Sequence, residues 1–308
     1  MSTPPSDLTL IAFAALWGVL AGALLPRAAY RFSVPSQEGE GEAEAEGQEN
    51  DGGGWRDTCP AGHPVRGWLG PARCGRCAAG PGAPAAAAAV AGPLPPRGEA
   101  AGDGGHPPPS GEGTGDAGRL VPAVSSRSYA PGGLLLPPVT ALVCAALGAA
   151  TGLRPELAVW LLLAPVGVLL AVVDLRVQRL PDALTLPLAA AAPALLGGAA
   201  LLPEHAGHWT TALLGGLLLG GGHLLLHLIS PAGLAFGDVK LALGTGAVLG
   251  WYGWPTVMLG TFAAFLLGAL YGGVLVVLGR AGRRTGIPFG PFMLAGAFVG
   301  LLIGAYAA

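Results

Sequence analysis

Long apolar runs separated by short polar segments make up most of this chain. Eight such runs occur, at residues 8–25, 134–150, 157–173, 183–202, 210–229, 239–252, 257–278 and 287–307. An apolar run of about 17 to 25 residues is long enough to cross a bilayer as a helix. The sixth run is shorter, so it crosses only if its helix begins within the Gly237–Asp238 turn or is covered by neighbouring helices. The pattern predicts an all-α polytopic membrane protein with about eight transmembrane helices.

A long polar segment separates the first two apolar runs. We therefore divide the chain into a first transmembrane helix (1–25), a loop (26–133) and a seven-helix membrane core (134–308). The loop holds an acidic stretch at 38–51, a Cys/His cluster at 59–77 and a Pro/Gly/Ala-rich stretch. Because most of it lacks the aromatic and branched side chains that form a core, we expect it to be mostly disordered. The acidic stretch is either a solvated linker or a dock for a basic peptide.

The composition agrees with a lipid environment. Hydrophobic residues make up 52% of the chain and charged residues 11%, whereas roughly 25% of residues are charged in ordinary soluble domains. If eight helices alternate and the N-terminus is outside, 15 of the 16 Lys and Arg residues lie inside and only Arg154 lies outside. Basic residues near helix ends stay on the cytoplasmic side, which supports this orientation and a cytoplasmic loop. No basic residue precedes the first run, so we expect a retained anchor and not a signal peptide.

Two aspartates lie at the ends of apolar runs. Asp174 follows the third run and Asp238 precedes the sixth, and the predicted topology places both on the cytoplasmic side. A carboxylate at the edge of a membrane segment is unfavourable and therefore points to function. Two neighbouring carboxylates share a proton, so that one activates water as a base and the other acts as an acid. This is the chemistry of an aspartic protease, and paired carboxylates also occur in ion transporters. Since Asp238 is near the positive end of a helix, we expect it to be the base and Asp174 the acid.

Three further residues near these aspartates are candidates for shaping a site. Asp182 follows a proline at the start of a helix, where a carboxylate complements the positive helix end, and its alternative role is contact with a basic substrate. Lys240 either orients a carboxylate or extends to the membrane interface. Gly237, next to Asp238, lets the backbone turn and a peptide approach closely.

His223 and His227 form another polar pair, four positions apart on one predicted helix. Two imidazoles on one helix face could form a metal or proton site. Because no carboxylate partner is near them in sequence, packing or hydrogen bonding between helices is the favoured interpretation.

The loop sequence CPAGHPVRGWLGPARCGRC contains four potential metal ligands, Cys59, His63, Cys74 and Cys77. Three thiolates and one imidazole can hold zinc tetrahedrally. The second CxxC pair is complete, whereas Gly62 stands where the first pair would have its second cysteine. A reducing cytoplasm argues against a disulfide. We predict a small structural zinc site, with unliganded surface thiols as the alternative.

Five stretches in order along the chain resemble the bacterial type IV prepilin peptidases, also called leader peptidase/N-methyltransferases, of the GxGD class of intramembrane aspartic proteases. The matching stretches are GVLAGALLPRAAYR, CPAGHPVRGWLGPARCGRC, VDLRVQRLPDALTLPL, FGDVKLALGTGAVLGW and RTGIPFGPFMLAGA. Five ordered matches are far more specific than any one of them. The resemblance implies that Asp174 and Asp238 are the catalytic pair.

The chain departs from the family's pattern in two places. The family's second motif reads Gly-any-Gly-Asp, and this chain has alanine at position 235 in place of the first glycine. The cysteine cluster lacks one expected ligand, and the loop carries long insertions. These departures bear more on N-methylation than on proteolysis.

The resemblance implies an endopeptidase of the bacterial inner membrane that removes a short basic leader from prepilins or pseudopilins, which serve type IV pili or protein secretion. An apolar N-terminal helix follows the cleavage site in such substrates, and the new N-terminus would be methylated with S-adenosylmethionine. Proteolysis needs no cofactor, and zinc would be structural. We expect membrane lipid and no nucleic acid among the partners. The alternatives are a catalytically degenerate membrane scaffold and a carboxylate-dependent ion transporter.

Overall fold

A computed structural model describes residues 5–33, 55–78, 133–230, 234–279 and 288–308. These residues form nine helices and no strand: α1 (Pro5–Phe32), α2 (Gly75–Ala78), α3 (Leu136–Thr151), α4 (Glu156–Val177), α5 (Asp182–Ala199), α6 (Trp209–Ile229), α7 (Phe236–Gly250), α8 (Trp254–Val277) and α9 (Gly290–Ala307). Each of the eight long helices overlaps one predicted apolar run. The prediction of an all-α polytopic membrane protein is therefore confirmed.

Six of the described helices are long and apolar enough to cross a membrane, namely α1, α4, α5, α6, α8 and α9. The other two long helices are shorter, with 16 residues in α3 and 15 in α7. A transmembrane count of eight and the predicted orientation remain predictions. The acidic and Pro/Gly/Ala-rich parts of the loop, for which we predicted disorder, lie outside the described residues.

α1 continues past the apolar run and ends at Phe32 instead of at residue 25. The extra turns carry Arg27, Tyr30 and Arg31, which bind the segment 55–78. The Tyr30 hydroxyl donates to the Thr58 carbonyl (2.9 Å), and the Arg27 guanidinium donates to the Arg66 carbonyl (2.9 Å). Because these tertiary contacts stabilise a polar helix end, the apolar pattern alone could not show it.

α7 is the central helix of the bundle and packs against α5, α6, α8 and α9. It begins at Phe236, before the apolar run and one residue before the Gly237–Asp238 turn. Glycines allow close contact with α6, since a Cβ on Gly215 would lie 2.6 Å from the Gly246 carbonyl oxygen. α7 is thus covered by protein on several sides, which is one of the two conditions under which so short an apolar run is expected to cross.

An apolar cluster joins the four helices that carry the candidate site. Its buried members come from α4, α5, α7 and α9 and are Leu170, Leu188, Leu241, Ala242 and Met293. Burial of each large aliphatic side chain contributes roughly 1.5 to 3 kcal/mol. The cluster fixes the relative positions of the ends of α4 and α7, where the two aspartates lie.

Candidate active site and metal centre

Asp174 lies one turn before the end of α4. The helix ends at Val177, and Gln178 adopts a left-handed conformation with φ 52°, from which its N–H donates to the Asp174 carbonyl (2.8 Å). The Asp174 side chain is buried, and its Oδ2 accepts a hydrogen bond from the backbone N–H of Gly290 at 3.1 Å. A carboxylate of α4 is thus held by the first turn of α9.

Gly290 begins α9, where the backbone N–H groups have no acceptor within the helix. A Cβ at this position would lie 2.6 Å from Asp174 Oδ2, so only glycine permits this approach without displacement. No chemical role was expected of Gly290 from the sequence. The sequence does contain one sign of this contact: Gly290 and Pro291 begin a helix, and the backbone N–H of Gly290 has no acceptor within that helix.

Asp238 lies in the first turn of α7, and its side chain is buried. Its backbone N–H donates to the carbonyl of Ala235 at 3.0 Å. Ala235 precedes the helix with φ −71° and ψ 147°. Any residue adopts this extended conformation, so alanine in place of the family's glycine causes no backbone strain here.

The ends of α4 and α7 meet around the side chain of Leu180. A Cβ on Gly237 would lie 3.0 Å from Leu180 Cβ, and a Cβ on Gly290 would lie 3.5 Å from Leu180 Cδ1. Gly237 is helical, and its missing side chain leaves room for Leu180. Asp238 follows Gly237 and Asp174 binds Gly290, so both aspartates adjoin residues that border Leu180. The structure therefore places the two predicted catalytic residues, both buried, at the same end of the bundle.

Asp182 and Lys240 form an ion pair beside this site. Asp182 is the first residue of α5, as predicted, and Lys240 lies in α7. Lys240 Nζ is 2.6 Å from Asp182 Oδ1 and 4.8 Å from the centre of the Phe236 ring. Of the two roles considered for Lys240, the structure places the ammonium against a carboxylate, that of Asp182. This pair connects the starts of α5 and α7.

His223 and His227 make separate contacts. Nδ1 of His223 is 2.9 Å from the Leu219 carbonyl oxygen, and Nδ1 of His227 is 2.7 Å from the Leu234 carbonyl oxygen. Neither histidine belongs to a metal-ligand group within the described ranges, in which one such group was found. His223 also packs against the Phe265 ring of α8, at 6.1 Å between ring centres, which agrees with the packing interpretation. The two hydrogen bonds do not join different helices.

The Cys/His cluster forms that group. Its four ligand atoms all lie within 4.8 Å of one another. His63 Nδ1 is 3.7 Å from the sulfur of Cys59, 3.3 Å from that of Cys77 and 3.7 Å from that of Cys74, and the sulfurs of Cys59 and Cys77 are 3.8 Å apart. Ligands of tetrahedral zinc lie roughly 3.3 to 3.8 Å apart, given bonds of about 2.0 to 2.3 Å. The residues present fit a zinc ion.

Gly62 explains how the cluster closes with an incomplete first CxxC pair. The Gly62 N–H donates to the Cys59 carbonyl (2.8 Å), and Gly62 has φ +78°. This left-handed conformation favours glycine and turns the chain so that the next residue, His63, points back at Cys59. The imidazole therefore occupies the place that a second cysteine would have taken.

The thiols of the second CxxC pair influence each other. The backbone N–H of Cys77 lowers the pKa of the Cys74 thiol to about 6. Hydrogen bonding with Cys74 raises the pKa of Cys77 to about 11. A bound cation would stabilise both thiolates at once, because metal ligation requires the deprotonated form.

The central part of the chain is similar in sequence to a known protein family. Residues 157–273 match the sequence profile of the Type IV leader peptidase family. We call residues 157–273, over which this similarity extends, the leader peptidase region. The leader peptidase region contains Asp174, Asp182, Asp238 and Lys240, whereas Gly290 and the Cys/His cluster lie beyond its limits. No solved structure matches the chain.

Curated relatives named "Prepilin leader peptidase/N-methyltransferase" agree with this assignment. The chain is 36% identical to the relative from Aeromonas salmonicida over 154 residues, which are 47% of this chain and 48% of the relative. It is 32% identical to the Bacillus subtilis relative over 174 residues (54% and 64%) and 32% identical to the Pseudomonas aeruginosa relative over 143 residues (44% and 46%). The chain spans about half the length of the first curated relatives that it matches.

Proposed function

We propose that the chain is a membrane aspartic endopeptidase in which Asp174 and Asp238 form the catalytic pair. The observation that carries this proposal is that two buried carboxylates, from different helices, lie at helix ends that both border Leu180. Ionisable side chains in an apolar membrane bundle are energetically unfavourable, and where they occur they usually mark a functional site. The match of residues 157–273 to a leader peptidase family supports peptide-bond hydrolysis over ion transport or a scaffold role.

The pair hydrolyses a peptide bond by dividing the proton transfers. The ionised carboxylate takes a proton from water as the water oxygen attacks the peptide carbonyl carbon. The protonated carboxylate gives its proton to the peptide nitrogen as the C–N bond breaks. The Gly290 N–H holds one Asp174 oxygen in place during these steps. Since neighbouring carboxylates titrate as a pair, the shared proton belongs to both of them.

The substrate class follows from the curated relatives and from an apolar cavity beside the site. We infer that the substrate is a prepilin-like protein with a basic leader, cleaved on the cytoplasmic side of the inner membrane. A cavity of about 330 Å³ between α3, α4, α5, α7 and α9 is lined by Ala171, three residues before Asp174, and by Pro291, next to Gly290. Its other walls are mostly aliphatic, so it offers apolar surface to the substrate residues that follow the scissile bond.

Zinc and methyl transfer form a second part of the proposal. Cys59, His63, Cys74 and Cys77 would hold a zinc ion, which would supply folding free energy to a segment with a small apolar core. The names of the relatives suggest N-methylation. The family resemblance implies that the new N-terminus is methylated and that S-adenosylmethionine is the methyl donor. The Cys/His segment is bound to α1 and takes no part in the aspartate pair.

One assay tests both activities. The purified full-length chain is incubated in detergent with a prepilin from the same organism, with and without S-adenosylmethionine, and the N-terminus of the product is analysed by mass spectrometry. Loss of the leader supports the endopeptidase, and an added methyl mass supports N-methylation. An intact prepilin after incubation with the wild-type chain, alongside a known prepilin peptidase that cleaves it, would contradict the proposal.

A further inference from the structure

A strongly basic unit surrounds the Cys/His cluster. Residues 55–78 together with Arg27 and Arg31 of α1 contain six arginines and one aspartate. The aspartate, Asp57, is paired with Arg31. The positive charge of this unit is therefore far from balanced by the carboxylates within it.

Four of these arginines line one cavity of about 550 Å³. They are Arg27, Arg66, Arg73 and Arg76, and His63 and Cys74 form part of the same wall. The arginines come from α1 and from both halves of the Cys/His segment, so the fold gathers them from positions distant in sequence. Like charges around one cavity repel one another, and an anion in the cavity would relieve that repulsion.

No carboxylate in the described part of the chain pairs with these arginines. The Arg27 guanidinium donates to the carbonyl oxygens of Arg66 and Leu69, at 2.9 and 3.2 Å, and carbonyl groups carry no net charge. The side chains of Arg66, Arg73 and Arg76 are exposed, and the two ion pairs found among the described residues involve neither them nor Arg27.

The cavity adjoins the end of the apolar run of α1. The apolar run 8–25 ends two residues before Arg27. Its 18 residues span roughly 27 Å as a helix, close to the thickness of the hydrocarbon core. The basic unit is attached at this level, because the Gly70 N–H donates to the Leu24 carbonyl (2.7 Å) and the Arg27 N–H donates to the Gly70 carbonyl (3.0 Å). Lipid phosphates occupy the same level of a bilayer.

Exposed aromatic and aliphatic side chains accompany the arginines. Trp55, Trp68 and Leu69 are 39%, 37% and 59% exposed, and Trp68 stacks on both Phe32 and the Arg31 guanidinium. Tryptophan is typical of the membrane interface. A soluble anion would gain nothing from these apolar groups, whereas a lipid offers them glycerol and acyl carbons.

We propose that the arginine cavity formed by Arg27, Arg66, Arg73 and Arg76 binds the phosphate group of an anionic phospholipid headgroup. The planar guanidinium donates two parallel hydrogen bonds to phosphate oxygens, which makes arginine well suited to this anion. The exposed Trp68 and Leu69 lie against the adjoining part of the lipid. This binding anchors the Cys/His unit to the membrane surface and is independent of the proposed protease activity.

Native mass spectrometry of the full-length chain in detergent tests this site. Phosphatidylglycerol, phosphatidylcholine and inorganic phosphate are each titrated against the wild-type chain and against the triple variant Arg66→Gln, Arg73→Gln, Arg76→Gln. We expect wild type to retain phosphatidylglycerol in preference to phosphatidylcholine. The triple variant should bind phosphatidylglycerol on the order of 100-fold more weakly, given the contribution of each basic residue near an anionic surface.

A matched control removes three arginines elsewhere in the same loop. The variant Arg97→Gln, Arg119→Gln, Arg127→Gln has the same net charge as the first triple variant, and we expect it to bind phosphatidylglycerol as wild type does. Equal weakening by both variants would mean that only net charge matters and would overturn the proposal. If the first variant fails to fold, Arg66→Lys, Arg73→Lys, Arg76→Lys replaces it, with binding expected to weaken because the bidentate geometry is lost.

The remaining outcomes also decide the proposal. Equal retention of phosphatidylglycerol and phosphatidylcholine by wild type would overturn it. Inorganic phosphate that displaces the lipid at millimolar concentration would identify a site for soluble anions instead. Displacement of the lipid by S-adenosylmethionine would assign the cavity to the methyl donor and would likewise overturn the proposal.

Discussion

The backbone N–H of Gly290 and the side-chain Oδ2 of Asp174 are 3.1 Å apart, although 116 positions separate the two residues in the chain. Through this hydrogen bond the first turn of α9 fixes a buried carboxylate of α4. The contact requires glycine, since a Cβ at residue 290 would lie 2.6 Å from the same oxygen. The geometry of the proposed catalytic pair thus depends on a residue that carries no functional side chain.

We predict that Gly290→Ala lowers the rate of prepilin cleavage by about 100-fold, because displacement of a catalytic group by about 1 Å can have an effect of this size. The rate constant for leader removal is measured with purified protein at saturating substrate. The control is Gly273→Ala in α8, where a Cβ would meet no atom within 4 Å. Equal rates for Gly290→Ala and Gly273→Ala would show that the contact does not position Asp174.

The helical frame could be predicted from the sequence because apolar runs long enough to cross a membrane have few alternatives to a helix. The two aspartates could be singled out for the related reason that carboxylates are rare at the ends of such runs. For the short run at 239–252, the sequence left open an earlier helix start at the Gly237–Asp238 turn or cover by neighbouring helices. In the structure α7 begins at Phe236, which places Asp238 in its first turn.

Other features of the site depend on tertiary contacts that no local pattern contains. The Gly290 donor is a backbone group, so residue type gives little sign of it. The pairing of Lys240 with Asp182 joins residues 58 positions apart on different helices. The extension of α1 to Phe32 depends on its contacts with the segment 55–78, and the role of Gly62 follows from its positive φ.

The ion pair between Asp182 and Lys240 is expected to support the site only weakly. Asp182 is 63% exposed in its side chain, and exposed ion pairs typically contribute less than about 1 kcal/mol. We predict that Asp182→Asn and Lys240→Gln each lower the cleavage rate by less than about tenfold and that the double variant resembles the single ones. A loss of cleavage as large as that of an Asp174 variant would instead place Asp182 in the catalytic machinery.

The zinc site makes a separate prediction about metal content. Cys74→Ser should release the metal, because removal of one of four ligands weakens a structural site. Metal analysis of protein purified without chelators should give about one zinc per chain for wild type and for the control Cys144→Ser, whose buried thiol lies in α3 far from the cluster in sequence. Wild-type protein without zinc would contradict the site.

Since the aspartates lie on packed helices, cleavage by Cys74→Ser should fall much less than N-methylation.

The most direct test of the central claim is the cleavage rate of Asp174→Asn and Asp238→Asn in detergent, with Asp182→Asn as the control carboxylate. Asparagine keeps the size of the side chain but can neither accept a proton from water nor donate one as an acid. We predict that each of the first two variants loses activity by about 10⁴-fold or more, because members of one catalytic unit fail together, while Asp182→Asn remains within about tenfold of wild type. Cleavage at the wild-type rate by either Asp174→Asn or Asp238→Asn would contradict the aspartate-pair mechanism.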